Sequence, residues 1–598
     1  MLSARIPQKI HIPPNGRALF SLTVLSSCLY AVSEWLFFMT RPSPLSILAL
    51  LDSVKILFVT AGSITLISTA LLAILLLPTV VVSNSNGRSQ LLIFGAIVPA
   101  LLLSITALIV FDNVTYAEFG FGIISSKGFL RGIYALGFLI FFWLVLLAAQ
   151  RAVWVRRKFA FYLALILLGI SMAAILATRL ASYPHIIILG SDGLSARYLT
   201  VYDSNRKTTP FLADLAQRSL IAENAFPNAG STTGSTTTVL TGKETIETNV
   251  YRYSDTLSGR DSLEHLPGIL RQHGYKAVEI GTRDYVDARK INLVEGFDVV
   301  NNQTITEPAS NVFSAFLSNT LSTPFIQTIV ERARERLLHI FFIKNMQFPP
   351  ARVETAEALT SDEQRVEQII DLLTHANTPL FIFAHLMDTH GPHFSFQKQV
   401  FSSGVSADKE WDELRYQDAL LSFDSYVKRI YEHLAKTGQL NNTILVVYTD
   451  HGFRYTIHER IPILIHFPEN ANSGTRKNNV QNIDIPATLL HYLGIPRPKW
   501  MTGTSLLNGE PDADRKIMTT TSGSPKMIAP PFYQIQSIQV IVCQKWYALN
   551  IREDTWRTGM INGHTAKCAE GILPPEEEVH RTILEYLEKH NYDISSLK

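Results

Sequence analysis

Five long apolar runs, at 18–38, 49–81, 91–111, 129–149 and 159–177, occupy most of the first 180 residues. They restrict the fold more than any other feature of the chain. About 20 apolar residues in a helix match the hydrocarbon thickness of a bilayer. In lipid the backbone must satisfy its own polar groups, which leaves helices as the spanning element for runs of this kind. The run at 49–81 exceeds that length, so a tilt or an interfacial first turn is expected. Arg5, Lys9 and Arg17 precede the first run, and Arg151, Arg156, Arg157 and Lys158 separate the fourth from the fifth. The cytoplasmic bias of Lys and Arg places the N-terminus in the cytoplasm and everything after residue 181 outside. Four more runs follow the first and no small-residue cleavage site stands out, so the first is read as a span. Glu34 and Asp52 are the acidic residues in these runs, both near ends, which favours anchoring and substrate access over ion transport.

From residue 184 the pattern changes to short apolar runs separated by helical stretches, as in a mainly parallel α/β sheet. HIIILG (185–190) ends in Ser191-Asp192-Gly193, and KAVEI (276–280) ends in Gly281-Thr282. PLFIFAHL (379–386) ends in Met387-Asp388-Thr389-His390-Gly391-Pro392-His393, and TILVVY (443–448) ends in Thr449-Asp450-His451-Gly452. Buried parallel strands read as continuous Val/Ile/Leu/Phe runs, and sites form beyond their carboxyl ends. Asp192, Asp388, His390, His393, Asp450 and His451 are therefore expected on one rim. Mixed oxygen and nitrogen donors suit zinc or manganese, whereas calcium wants more oxygens. One divalent metal is expected, with Asp388 open to a second.

Between two of these strands lies NAGSTTGSTTTVLTG (228–242), in which eight of fifteen residues are Ser or Thr. It follows an apparent strand at 219–226 and leads into a helix. A hydroxyl at a helix N-terminus has free backbone N–H groups and the positive end of the dipole beside it, so an oxyanion can be attacked and held there. A Ser/Thr-rich turn with an N-cap is the plainer alternative. Net charge is +2 without a clustered basic face, so no nucleic-acid partner is expected. Cys543 and Cys568 are free to pair in an oxidising compartment, but spacing does not decide it. The stretch 312–343 has helical apolar spacing followed by Arg332, Arg334 and Arg336. It is read either as an amphipathic helix packed on the outer domain or as a membrane-facing one.

These motifs resemble the alkaline phosphatase superfamily, and within it the sulfatase-like branch. Asp192 after the first strand, TTPFLADLA (208–216), the step from Thr232 to Thr241-Gly242, and LPGILRQHGYKAVEIG (266–281) carry the likeness. TDHG (449–452), RIPILI (460–465), NIDIPATLL (482–490), LGIP (493–496) and GTSL (503–506) extend it in the same order. The resemblance implies Asp192, Thr232, Asp450 and His451 as metal ligands and Thr232 as nucleophile, with Ser231 and Thr233 left open because a run of hydroxyls lets the register slip. Asp484 is expected to cap the following helix. The departures bear on chemistry. Sulfatases of this type resemble C/S-x-P-x-R at the nucleophile, where Cys or Ser becomes formylglycine; here Thr232, Gly234 and Thr236 stand in those places. Gly193 and Thr282 replace a second acidic ligand and a sulfate-binding Lys.

A Thr nucleophile after five spans looks like the phosphoethanolamine transferases and lipoteichoic acid synthase-type phosphoglycerol transferases. His390-Gly391-Pro392 resembles the substrate-facing S-H-G-P motif of the former. The resemblance implies transfer of a phospho-head group from a membrane phospholipid, through a phospho-threonine, to a glycan or glycolipid outside a bacterial inner or plasma membrane. Thr232 and His390 are the expected catalytic residues, and His390, His393 and His458 the expected substrate contacts. A phosphodiesterase or sulfatase-type hydrolase is the alternative, and an inactive lipid-binding sensor the second. The expected domains are a membrane domain (1–181), a sulfatase-like α/β domain (182–510) with a helical insertion near 309–345, and a small strand/helix subdomain (511–598).

Overall fold

The computed structural model describes residues 14–594 apart from short internal stretches, of which 79–93, 153–182 (save Gly169), 305–322, 342–359 and 523–534 are the longest. The chain divides into two compact units. One holds 1–181 with 272–274 and 308–355, and the other holds 182–271, 275–307 and 356–598.

Four helices form the first unit's membrane part: α1 (Pro14–Met39), α2 (Leu50–Leu76), α3 (Ile97–Phe119) and α4 (Gly128–Ala152). Among the described residues, these four are long and apolar enough to cross a membrane. The fifth expected span, 159–177, lies outside the described residues except for Gly169. The amphipathic stretch after the third catalytic strand forms α5 (Thr323–Phe341). It packs on the apolar helices of its own unit. Phe325 and Ile329 join a core with Tyr30, Ile56, Ile64 and Ile109, and the Tyr30 hydroxyl donates to the Ile329 carbonyl at 2.6 Å.

Charge explains the choice of face. Arg332 Nε lies 3.0 Å from Glu34 and Arg336 Nε lies 2.8 Å from Asp112. Asp112, one residue beyond the expected third span, is inside α3, and its Oδ1 also accepts from the Ile123 N–H at 2.6 Å. Glu34 is buried by its partner, while Asp52 is satisfied by Lys55 at the exposed start of α2. A carboxylate taken from water needs such a partner, and removing one member leaves the other uncompensated. Arg336→Met should therefore destabilise the detergent-solubilised chain by about 3 kcal/mol in denaturant titration. The double change Arg336→Met/Asp112→Asn should cost less than that single change.

The second unit is built on a nine-stranded sheet of order β5-β4-β3-β6-β1-β7-β8-β2-β9. Its strands are β1 (His185–Ser191), β2 (Leu220–Phe226), β3 (Lys276–Ile280), β4 (Val299–Val300), β5 (Gln303–Thr304), β6 (Leu380–Leu386), β7 (Thr443–Thr449), β8 (Ile463–His466) and β9 (Gly474–Gln481). β4, β3, β6, β1 and β7 run parallel in succession. β8 is antiparallel to both β7 and β2, so β2 points the same way as β1. The carboxyl ends of β1, β2, β6 and β7 therefore share one rim.

Every residue of β1, β6 and β7 is buried, because both faces are covered. One face carries α6 (Thr232–Thr241) and α9 (Asp484–Tyr492), and the other carries α7 (Asp362–Thr374) and α8 (Glu413–Lys436). The C-terminal part forms a separate antiparallel sheet of four strands, β10 (Ile517–Ser522), β11 (Ile535–Val542), β12 (Lys545–Asn550) and β13 (Thr555–Met560). It is backed by α10 (Glu576–Lys589). Cys543 and Cys568 form a disulfide with Cα atoms 5.3 Å apart. Asp484 is structural but, against expectation, does not cap α9: it is that helix's first residue, Ile483 holds the N-cap position, and the Asp484 carboxylate instead accepts from the Gln481 and Thr504 N–H groups and is paired with Arg515.

Candidate active site

The hydroxyl-rich loop becomes a helix whose register leaves one side chain for chemistry. Ser231 is the N-cap of α6: its Oγ accepts from the Gly234 N–H and donates to the Tyr251 carbonyl. The Thr233 hydroxyl donates to the Tyr285 carbonyl at 3.1 Å. Thr232 Oγ1 faces inward and donates to Asp192 Oδ2 at 3.2 Å. Farther along, Thr236, Thr237, Thr238 and Thr241 return their hydroxyls to carbonyls one turn back, and Ser235 donates to the Asp450 carbonyl at 2.6 Å. Buried hydroxyls need partners, and the helix supplies them. The first-turn N–H groups of Thr232 and Thr233 have no intrahelical acceptor. At Gly234, a Cβ would lie 3.0 Å from the Ala229 Cβ and 3.1 Å from both Ser231 Oγ and Thr245 Cγ2. The close packing of this turn thus explains a glycine there.

Asp192 follows β1 and Asp450 follows β7, two neighbouring strands. Asp450 Oδ1 accepts from the Gly193 N–H at 3.1 Å and the His451 N–H at 2.9 Å. Gly193 takes a positive φ of 62°, which a side chain resists, so the missing acidic residue at this position has a backbone reason. His451 Nδ1 lies 3.0 Å from the Gly452 carbonyl. Donation there fixes the tautomer and leaves the Nε2 lone pair free. That Nε2 is 3.4 Å from Asp450 Oδ2 and 3.8 Å from Asp192 Oδ2.

Asp192, Asp450 and His451 each offer one ligand atom, all within 4.8 Å of one another, and all three side chains are buried. Asp450 Oδ2 and His451 Nε2 are buried without hydrogen-bond partners. Orphaned buried acceptors are costly, and here they converge. The donor set fits a divalent cation. Burial, reinforced by the charge of Asp450, raises the Asp192 carboxyl. Burial alone would raise Asp450 as well, but the His451 and His385 imidazoles, together with hydrogen bonds from Thr232 and the Gly193 N–H, hold Asp450 low. Burial opposes the charge on His451, and the two carboxylates overcome it and raise His451.

The remaining expected residues separate. His390 stands at the mouth, half-buried, with Nε2 3.4 Å from the Tyr455 hydroxyl. The Tyr455 ring in turn lies 4.8 Å from the His451 ring, and burial lowers His390. Tyr285 flanks His390 at 6.3 Å. His393 is exposed. His458 packs on Trp546 at 4.9 Å, where burial lowers it, and none of its described contacts is with the cation donors. Asp388 accepts from the Tyr426 hydroxyl at 2.9 Å and stands next to Asp362, which accepts from the Met387 and Asp388 N–H groups. It falls outside the metal-compatible cluster. A second group, Asp514 with Cys543 and Cys568, has its sulfurs engaged in the disulfide. Sequence reading passed over His385, a fully buried imidazole in β6 whose signal was a polar residue inside an apolar strand.

A mainly parallel α/β sheet, nine-stranded among the described residues, with a buried threonine hydroxyl and a metal-compatible Asp/Asp/His group on its carboxyl rim defines an enzyme of the alkaline phosphatase superfamily. The sulfatase family model matches residues 184–495, and the chain belongs to that family. An N-acetylglucosamine-6-O-sulfatase of Bacteroides thetaiotaomicron is 22% identical over 394 residues, 54% of this chain and 70% of that protein. The human N-sulphoglucosamine sulphohydrolase is 22% identical over 331 residues, 51% of this chain and 62% of that protein, which is less than two thirds of its length. A phosphonate monoester hydrolase of Agrobacterium radiobacter is structurally similar at 15% identity with a TM-score of 0.46, covering 68% of this chain and 94% of that one.

The register of the hydroxyl run is open to test. Ser231→Ala removes the N-cap and should cost about 1 kcal/mol of stability in denaturant titration, with turnover largely kept. Thr232→Ala should leave the unfolding midpoint near wild type and abolish turnover of a chromogenic phosphodiester.

Proposed function

We propose that the chain is a membrane-anchored, metal-dependent hydrolase that cleaves phosphoesters through a covalent ester on Thr232. The carrying observation is the Thr232 hydroxyl, held by Asp192 at a helix N-terminus and beside the Asp450/His451 donors. Membership in the sulfatase family supports hydrolysis of an oxyanion ester. The side chain at position 232 argues for phosphorus over sulfur. The formylglycine route starts from Cys or Ser, and the β-branched Thr232 closes it.

Asp192, Asp450, His451 and Thr232 would hold one divalent ion, with zinc or manganese suited to their oxygen and nitrogen donors. When bound, such an ion lowers the pKa of the hydroxyl and offsets charge on the phosphoryl oxygens. Thr232 Oγ1 gives its proton to Asp192, to which it already donates, and forms the new bond to phosphorus. The bond from phosphorus to the leaving oxygen breaks, and that oxygen takes the electron pair and a proton. The first-turn N–H groups of Thr232 and Thr233 hold the equatorial oxygens. His390 and Tyr455 are the donors at the mouth. Water then attacks phosphorus, the Thr232–phosphorus link breaks, and Oγ1 regains a proton.

The membrane helices favour a second reading, in which a membrane phospholipid is the donor and a glycan or glycolipid hydroxyl replaces water. The Cys543–Cys568 disulfide supports an oxidising location for the catalytic unit, outside the cytoplasm. Product analysis separates the readings. Purified protein with a divalent ion should release free phosphomonoester from a phosphodiester in water, and Thr232→Ala should lose about 10³-fold or more in rate. Release only when a glycan acceptor is added, with the head group on that acceptor, establishes transfer instead. Sulfate ester cleavage that survives Thr232→Ala contradicts both.

A further inference from the structure

A row of polar groups lies inside the sheet beneath the cation donors. His385 of β6 and Tyr448 of β7 are both paired in register with Gly190 of the intervening β1. The glycine makes room for them: a Cβ at position 190 would lie 2.6 Å from Tyr448 Cε1 and 3.0 Å from His385 Nδ1. Both side chains are fully buried. Neither ring nitrogen of His385 has a hydrogen-bond partner, and neither does the Tyr448 hydroxyl or Asp450 Oδ2. A protein interior seldom leaves such groups unpaired without a functional reason.

His385 Nε2 stands 3.8 Å from Asp450 Oδ2. Asp450 Oδ1 is already occupied by backbone N–H groups, so Oδ2 is the oxygen that faces the cation donors. His385 itself lies outside the cluster of mutually close ligand atoms formed by Asp192, Asp450 and His451. It approaches Asp450 without sharing the position that those three surround.

We infer that His385 is a positioning residue for the cation site: its Nε2–H steers Asp450 Oδ2, fixing the carboxylate for the ion without ligating the ion itself. Closing the 3.8 Å separation to a hydrogen bond takes a shift of under about 1 Å. The glycine at position 190 is part of this device, because a side chain there would clash with the Tyr448 ring and press on the imidazole. The inference rests on the divalent-ion reading of the site. It does not depend on whether water or a glycan accepts the phosphoryl group.

The test uses cobalt(II) as the probe on full-length, detergent-solubilised protein, with affinity read by calorimetry and ligand count by the absorption spectrum. His385→Leu should weaken cobalt binding about 10- to 100-fold and leave the spectrum of the bound ion unchanged. His385→Gln, which keeps a donor at similar reach, should restore affinity to within a few-fold of wild type. Unfolding midpoints of the metal-free proteins report whether a variant fails to fold. Equal affinity for His385→Leu and wild type overturns the inference alone. A spectrum that loses a nitrogen ligand in His385→Leu overturns positioning in favour of direct ligation. Wild-type protein that binds no cobalt overturns both the inference and the metal reading beneath it.

Discussion

The carboxylate of Asp450 ties the site together. One oxygen receives the Gly193 and His451 N–H groups and thereby binds the end of β7 to the turn after β1. The other oxygen is buried without a hydrogen-bond partner, beside His451 and Asp192. Around it Thr449 adds a clamp, donating to the Ser191 carbonyl and accepting from the Leu194 N–H. Ser235 from α6 donates to the Asp450 carbonyl. The α6 helix, the turns that carry Asp192 and Asp450 and the central parallel strands are thus joined through one residue and its neighbours. Such rigidity is what a cation site and an in-line attack require, since misplacement by about 1 Å costs orders of magnitude in rate.

The membrane unit obeys a different constraint. Its helices are apolar along most of their length, yet Glu34 and Asp112 are buried in it. They are compensated from a distant part of the sequence, by Arg332 and Arg336 of α5. An insertion that interrupts the catalytic domain in sequence therefore belongs to the membrane unit in space. The arginines keep the insertion helix in place as much as its apolar face does.

The central strands were legible because buried parallel strands are continuous apolar runs, and the convergence of Asp192, Asp450 and His451 on one rim was legible because they close such runs. Thr232 was narrowed by its spacing to Thr241-Gly242, but only the helix register separates it from Ser231 and Thr233, each held by a different carbonyl. What local pattern could not supply was tertiary pairing. The partner of α5 is set by two carboxylates about 220–300 residues away in sequence. His385 is invisible for a related reason: its meaning comes from Gly190 and Tyr448 on adjacent strands. β9 (GTRKNNVQ) has no apolar run at all: at the sheet edge its first half leaves polar side chains exposed, while the buried Asn479 and Gln481 donate to the Cys543 and Met518 carbonyls. His458 shows the converse, a histidine near the right motif whose ring is taken up by Trp546.

Peptide mapping of enzyme quenched during turnover of a chromogenic phosphodiester tests the central claim most directly. The account predicts a phosphoryl adduct on Thr232 that forms only with a divalent ion present and disappears once substrate is exhausted. An adduct on Ser231 or Thr233, or steady turnover with no adduct on Thr232 and undiminished rate in Thr232→Ala, contradicts it.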